Sequence, residues 1–128
     1  RPLLQRATAG PREAISASSL QFLQYWYYSP APQKGRLRYL ADPEEARRYM
    51  GSDTIDRGYL ALRRWTTVPI EVFDDYVAAN PELHVHEAGS GWLLRKLADQ
   101  RAEREQVAAG PGERLYLVRL RHADRRTP

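Results

Sequence analysis

Arg36-Leu37-Arg38-Tyr39-Leu40-Ala41 runs directly into Asp42-Pro43-Glu44-Glu45-Ala46-Arg47-Arg48-Tyr49-Met50-Gly51, and this stretch decides how the rest of the chain is read. Leu37, Tyr39 and Ala41 alternate with charge and bulk, which suits one face of a strand. Asp42 can then cap a helix, Pro43 fits its first position, Glu45 supplies a capping-box partner and Gly51 follows the last turn. A strand passes into a helix with no linker between them.

The same step is expected earlier. Glu13 to Ala17 reads as a short strand, and Ser18-Ser19 can start a helix with Gln21 as the capping partner of Ser18. Leu20, Leu23 and Tyr27, with Phe22 and Trp26, fall at helical spacing until Pro30 and Pro32 stop them. Residues 1 to 12 form a short apolar-stippled segment ending at Gly10-Pro11. Downstream, Ser52 to Thr67 reads as an irregular connection. Pro69 to Ala79 reads as a helix with a Val72, Phe73, Tyr76, Val77 stripe, ended by Asn80-Pro81. Leu83 to Glu87 is a strand with Leu83 and Val85 on one side and His84 and His86 on the other. Gly89-Ser90-Gly91 turns into a helix bearing Leu93, Leu94, Leu97 and Ala98. After a break near residues 101–105, a strand at Gln106 to Ala109, the turn Gly110-Pro111-Gly112 and a strand at Leu115 to Leu120 make a hairpin. The order β-α-β-α-α-β-α-β-β predicts an α/β fold: a layered, Rossmann-like domain over residues 1–122, with a mostly parallel sheet and an antiparallel C-terminal hairpin. Residues 123–128 are expected to be a basic, disordered tail.

Composition narrows the function classes. The chain has 128 residues, 20 Lys plus Arg, 16 Asp plus Glu and no Cys. A zero cysteine count excludes zinc ribbons and thiol chemistry. The net charge of +4 is mostly terminal, because residues 119–128 hold four Arg and one Asp. Elsewhere acids and bases interleave at helix-pairing spacing, as in Glu44-Glu45-Ala46-Arg47-Arg48, so no phosphate track for nucleic acid is laid out. No apolar run approaches the roughly 20 residues of a membrane-spanning helix. The opening Arg1-Pro2-Leu3-Leu4 has no initiator Met, which suggests a piece of something longer.

The candidate sites are few. Gly89, Ser90 and Gly91, followed by Trp92, could present backbone N–H groups to a phosphate, though the turn lacks a third glycine or a Lys-Ser/Thr and also suits a plain tight turn. His84 and His86 share a strand face, but spacing fixes no third ligand, so histidines at a surface or between layers are the simpler reading and no metal is assigned. Tyr25, Trp26, Tyr27 and Tyr28 crowd a little over one helical turn, so they cannot all face one core. Tyr25 and Tyr28 are candidates for stacking on a sugar ring, for the membrane headgroup region or for an interface; core packing with hydroxyls at the rim is the simpler alternative. Asp53, Asp56 and Arg57 form the best polar cluster, able to hold a sugar hydroxyl or to serve as turn and surface charges. No catalytic residue and no cofactor is assigned.

Leu20-Gln21-Phe22-Leu23-Gln24-Tyr25-Trp26-Tyr27-Tyr28-Ser29-Pro30, Arg36 to Pro43, Ser52-Asp53-Thr54-Ile55-Asp56, Gly89-Ser90-Gly91-Trp92-Leu93-Leu94 and Leu115-Tyr116-Leu117-Val118 occur in an order that resembles the C-terminal soluble region of certain bacterial polytopic membrane glycosyltransferases. These are related to protein O-mannosyltransferases and lipid A aminoarabinose transferases. The resemblance spans most of residues 13–121. It implies a non-catalytic, extracytoplasmic (periplasmic) domain whose partner is the transmembrane module of the same parent chain. That module would use a polyprenyl-phosphate sugar and a carboxylate of an early outer loop, so no catalytic residue carries over. The domain would assist lipid-linked donor or acceptor binding, or steady the module. Two other classes remain open: an independent α/β module binding phosphate or nucleotide near Gly89 to Gly91, and a small hydrolase or transferase resting on Asp53 and Asp56.

Overall fold

The computed structural model describes residues 2–9, 12–89 and 91–120. Ser90 and the expected tail at 123–128 lie outside the described residues. The elements are α1 (Pro2–Ala9), β1 (Ala14–Ser16), α2 (Phe22–Tyr28), α3 (Ala31–Lys34), β2 (Leu37–Ala41), α4 (Pro43–Met50), α5 (Thr54–Leu62), β3 (Ile70–Val72), α6 (Phe73–Ala79), β4 (Glu82–Glu87), α7 (Leu93–Asp99), β5 (Glu103–Gly110) and β6 (Glu113–Arg119). The strands form one mixed sheet in the order β3-β2-β1-β4-β6-β5. The first four run parallel, β6 is antiparallel to β4, and β5 is antiparallel to β6. The expected mixed α/β architecture with its C-terminal hairpin is therefore present.

Strand alternation divides the apolar side chains between the two sides of the sheet. Ile15, Leu40, Leu83, Val85, Tyr116 and Val118 pack with Ala46 of α4, Phe73 and Val77 of α6, and Trp92, Leu93, Leu94 and Leu97 at α7. Ala14, Leu37, Tyr39, Ala41, Ile70 and Leu115 pack instead with Leu3, Leu4 and Ala7 of α1, Phe22 of α2 and Tyr59 of α5. Leu83 and Val85 take one side of β4, as the sequence predicts.

The decisive strand-to-helix step forms with one substitution of partners. Asp42 Oδ1 accepts from the Glu45 N–H at 3.2 Å, Pro43 opens α4, and Gly51 closes it at φ 77°, a conformation open to glycine. The reciprocal half of the capping box is absent. The Asp42 N–H donates to Asp56 at 2.8 Å, and Glu45 faces Lys96 at 3.4 Å and Arg48 at 3.8 Å.

Five expectations need correction. The irregular connection at 52–67 contains α5, whose Ile55, Tyr59 and Leu62 repeat at helical spacing. The start of the 69–79 helix is β3: Tyr39 N–H donates to Pro69 O at 3.1 Å, which seats Ile70 beside β2. Ser18 and Gln21 form no capping box, because α2 begins at Phe22 and the Ser18 hydroxyl accepts from Ala88 N–H at 3.0 Å. Pro30 and Pro32 end α2 but open α3, where proline is tolerated in the first turn. Finally, β5 spans eight residues from Glu103, and most of them are exposed. A charged edge strand discourages further pairing and carries little apolar periodicity.

Candidate functional site

Asp56 is the centre of a buried polar knot. It is 1% exposed and accepts from Tyr39 Oη, Trp92 Nε1 and Asp42 N, each at 2.8 Å. Tyr39 Oη also lies 2.8 Å from Ser19 Oγ, and Tyr59 Oη donates to Ser19 O at 2.7 Å. Each participant comes from a different place: Ser19 follows β1, Asp42 follows β2, Trp92 precedes α7, and Asp56 and Tyr59 share a face of α5. Burial raises the Asp56 carboxyl above its ordinary range, while the three donors pull it back. Burial, and then the Asp56 charge, raise the Tyr39 hydroxyl. Asp56 and Trp92, both sequence candidates, are thus brought together, but with almost no accessible surface. Their chemistry is to tie β2, α4, α5 and α7 to one another.

Gly89 and Gly91 lie at the same edge of the sheet and have packing reasons of their own. A Cβ on Gly91 would sit 1.8 Å from Ala17 O, and one on Gly89 would meet the Gln21 side-chain amide at 2.7 Å. The loop after β4 therefore presses directly on the loop after β1, with glycine at the points of closest approach. Ser90, the third member of that motif, is outside the described residues. The helix that follows has seven residues and no side-chain cap.

Asp53 and Arg57 stand apart on the outer side of α5. Asp53 accepts from Arg57 Nε at 2.7 Å and from an Arg47 guanidinium N–H, and these hydrogen bonds lower its carboxyl to about 2. Because both basic partners are exposed, this cluster braces α4 against α5 at the surface. Asp53 and Asp56 do not form a carboxylate pair: one is engaged by arginines, the other by the buried knot.

The two histidines also separate. His86 is fully buried and in hydrogen-bond contact with Glu113 at 2.7 Å, while Tyr25 stands edge-on to it at 5.8 Å. Half-buried His84 is held below its ordinary range by burial and by the Arg12 charge. No group of three or more His, Cys, Asp or Glu among the described residues could hold a metal ion.

Tyr25, half-buried, and Tyr28, exposed, border the same groove. It has a volume of about 280 Å³, lies between α1, α2 and α3, and is also lined by Leu4, Gln5, Thr8, Gln24, Ser29, Pro30 and Gln33. Tyr28 is 75% exposed, and Tyr27 packs edge-on against it at 5.0 Å. Tyr28 borders the groove with a large ring face in solvent, whereas Tyr25 is half-buried and packs against the core cluster of Phe22 and Tyr39. Sequence reasoning places Tyr39 only on a strand face and singles out none of Glu113, Gln5 and Gln33. The one available signal is that α2 carries more aromatic rings than a single buried face can hold.

No helix among the described residues is long and apolar enough to cross a membrane. Comparison with family models, curated proteins and solved structures finds no match to this chain.

Proposed function

We propose that the chain is the non-catalytic, extracytoplasmic domain of a bacterial membrane glycosyltransferase, set against that enzyme's transmembrane module. There it assists the binding of a polyprenyl-phosphate sugar or its acceptor, or steadies the module. The observation that carries this reading is the surface of the 20–28 segment, where Leu20, Tyr27 and Tyr28 are 70%, 65% and 75% exposed. Large apolar side chains gathered in one segment mark an interaction surface, and amphipathic rings suit a membrane–water boundary. The same run of residues carries much of the sequence resemblance. Trp65, 85% exposed, adds another ring, and Thr67 beyond it shares a groove with Trp26 and Lys34. The test is the reading frame upstream of Arg1. Several membrane spans, with an acidic residue in the first outer loop, are expected; a frame encoding no such module overturns the reading.

A second reading is an independent phosphate- or nucleotide-binding module with Rossmann-like layering. The parallel order β3-β2-β1-β4 favours it, because chain connections diverge between β1 and β4 at the strand ends where α/β folds commonly bind ligands. The close packing of Gly91 on Ala17 argues against a vacant cradle there. Titration with inorganic phosphate and nucleotides should shift the amides of Gly89 to Trp92 if this second reading holds.

A further inference from the structure

We propose that the groove between α1, α2 and α3 is a binding site for an uncharged sugar ring, with Tyr28 as its stacking face and Gln5, Gln24 and Gln33 as its hydroxyl readers. This deepens the glycosyltransferase reading, on which its biological role rests, but the chemistry is argued from the groove itself.

None of the nine described residues lining the groove carries a charge, in a chain of which 28% of residues are charged. Among the described residues lining the groove, an anionic phosphate or uronate would find no cation to offset its desolvation. A polyprenyl tail would want an apolar wall, and here glutamines and hydroxyls interrupt it. A sugar ring needs both hydrogen-bonding partners for its hydroxyls and a flat apolar surface for its C–H face.

The groove supplies both. A glutamine amide offers two donors and an acceptor, and the side chains of Gln5, Gln24 and Gln33 make no hydrogen bond to other described residues. One comes from each helix, so they approach a ligand from separate directions. Ser29 donates its proton to Tyr25 O at 2.6 Å, leaving its hydroxyl oxygen to accept, whereas Thr8, 1% exposed, donates to Leu4 O at 2.9 Å and is closed off beneath the groove. The rings of Tyr27 and Tyr28 meet at right angles, 5.0 Å apart and 88° between planes, and Tyr28 remains 75% exposed, so ring surface is open to a ligand's C–H face. A volume of about 280 Å³ lies just below the roughly 300–1,000 Å³ of sites for drug-sized ligands, which suits a single ring.

The test is NMR titration of the 128-residue chain with methyl α-mannopyranoside and methyl β-galactopyranoside, against sodium phosphate and sodium glucuronate. The side-chain amides of Gln5, Gln24 and Gln33 should shift with at least one neutral glycoside at millimolar concentration. Tyr28→Ala should weaken that binding about tenfold, and Gln24→Ala should weaken it without altering the amide spectrum of α4 and β2. Absence of shifts with both glycosides at about 100 mM overturns the site. Equal shifts with phosphate or glucuronate, or binding unchanged in both variants, also overturn it. Failure of the site leaves the upstream reading frame to decide the glycosyltransferase assignment. Conversely, a glycoside-binding groove in a chain without membrane spans upstream would retain the site and reject that assignment.

Discussion

Tyr39 and Tyr28 are chemically identical, and the molecule uses them in opposite ways. Tyr39 is 2% exposed, with its hydroxyl shared between Ser19 and Asp56. Tyr28 is 75% exposed on a groove of uncharged polar side chains. The first belongs to a knot at the C-terminal edge of the parallel strands, where α/β folds commonly place their ligands. Here that edge is closed by Asp56, Trp92 and the pressed loops at Ala17 and Gly91. The second belongs to an outer surface made by helices. The difference teaches that the carboxylate and glycine signals of this sequence serve packing, whereas the groove proposed for recognition is lined by amides and an exposed ring.

Removing the acceptor at the centre of the knot should have the largest effect. Asp56→Ala leaves Tyr39 Oη, Trp92 Nε1 and Asp42 N without their buried acceptor, and should cost on the order of 4 kcal/mol in urea unfolding. Asp56→Asn is the sharper control. Its oxygen can take the Asp42 and Trp92 donors while its amide donates to Tyr39, whose proton turns to Ser19, so the cost should be about 1–2 kcal/mol. Equal losses in the two variants would show that the carboxylate's charge, and not acceptor geometry, holds the knot.

Gly91→Ala tests the loop contact separately. The added methyl would lie 1.8 Å from Ala17 O, inside any tolerable approach, so backbone must move. A loss of about 3 kcal/mol is expected by thermal or urea denaturation. A neutral result would mean that the strand-end loops yield readily, and would reopen that edge as a place for a ligand. Trp92→Phe keeps most of the ring but deletes the indole donor, and should cost about 2 kcal/mol.

How much of this was legible in the sequence depends on the range over which each signal acts. The β2–α4 step is readable because Asp42, Pro43 and Gly51 are local instructions, each confined to one helix end. The capping box is only half readable, since the competing acceptor for Asp42 N–H is Asp56, which arrives on another helix. Gly58 and the polar start at Asp53 disguise α5 as a loop, although Ile55, Tyr59 and Leu62 keep its period. β3 is three residues long, too short for alternation to stand out, and its pairing with β2 supplies what the local pattern lacks. β5 hides because an exposed edge need not be apolar. At the candidate site, the aromatic excess of α2 is visible in sequence, whereas the convergence of Gln5, Gln24 and Gln33 depends on three helices meeting. His86 and Glu113 likewise become partners only through the pairing of β4 with β6.

The smallest expected change in stability separates the two regions most cleanly. Tyr28 contributes a mostly solvated ring whose contact with Tyr27 is also near the surface. Tyr28→Ala should therefore alter unfolding free energy by less than about 0.5 kcal/mol, the ordinary range for surface substitutions. A ring retained for packing would reveal itself by a loss of 1 kcal/mol or more, of the kind expected in the knot. If stability is unchanged while glycoside binding falls, the ring is spent on recognition, and the contrast with Tyr39 is one of function as well as of burial.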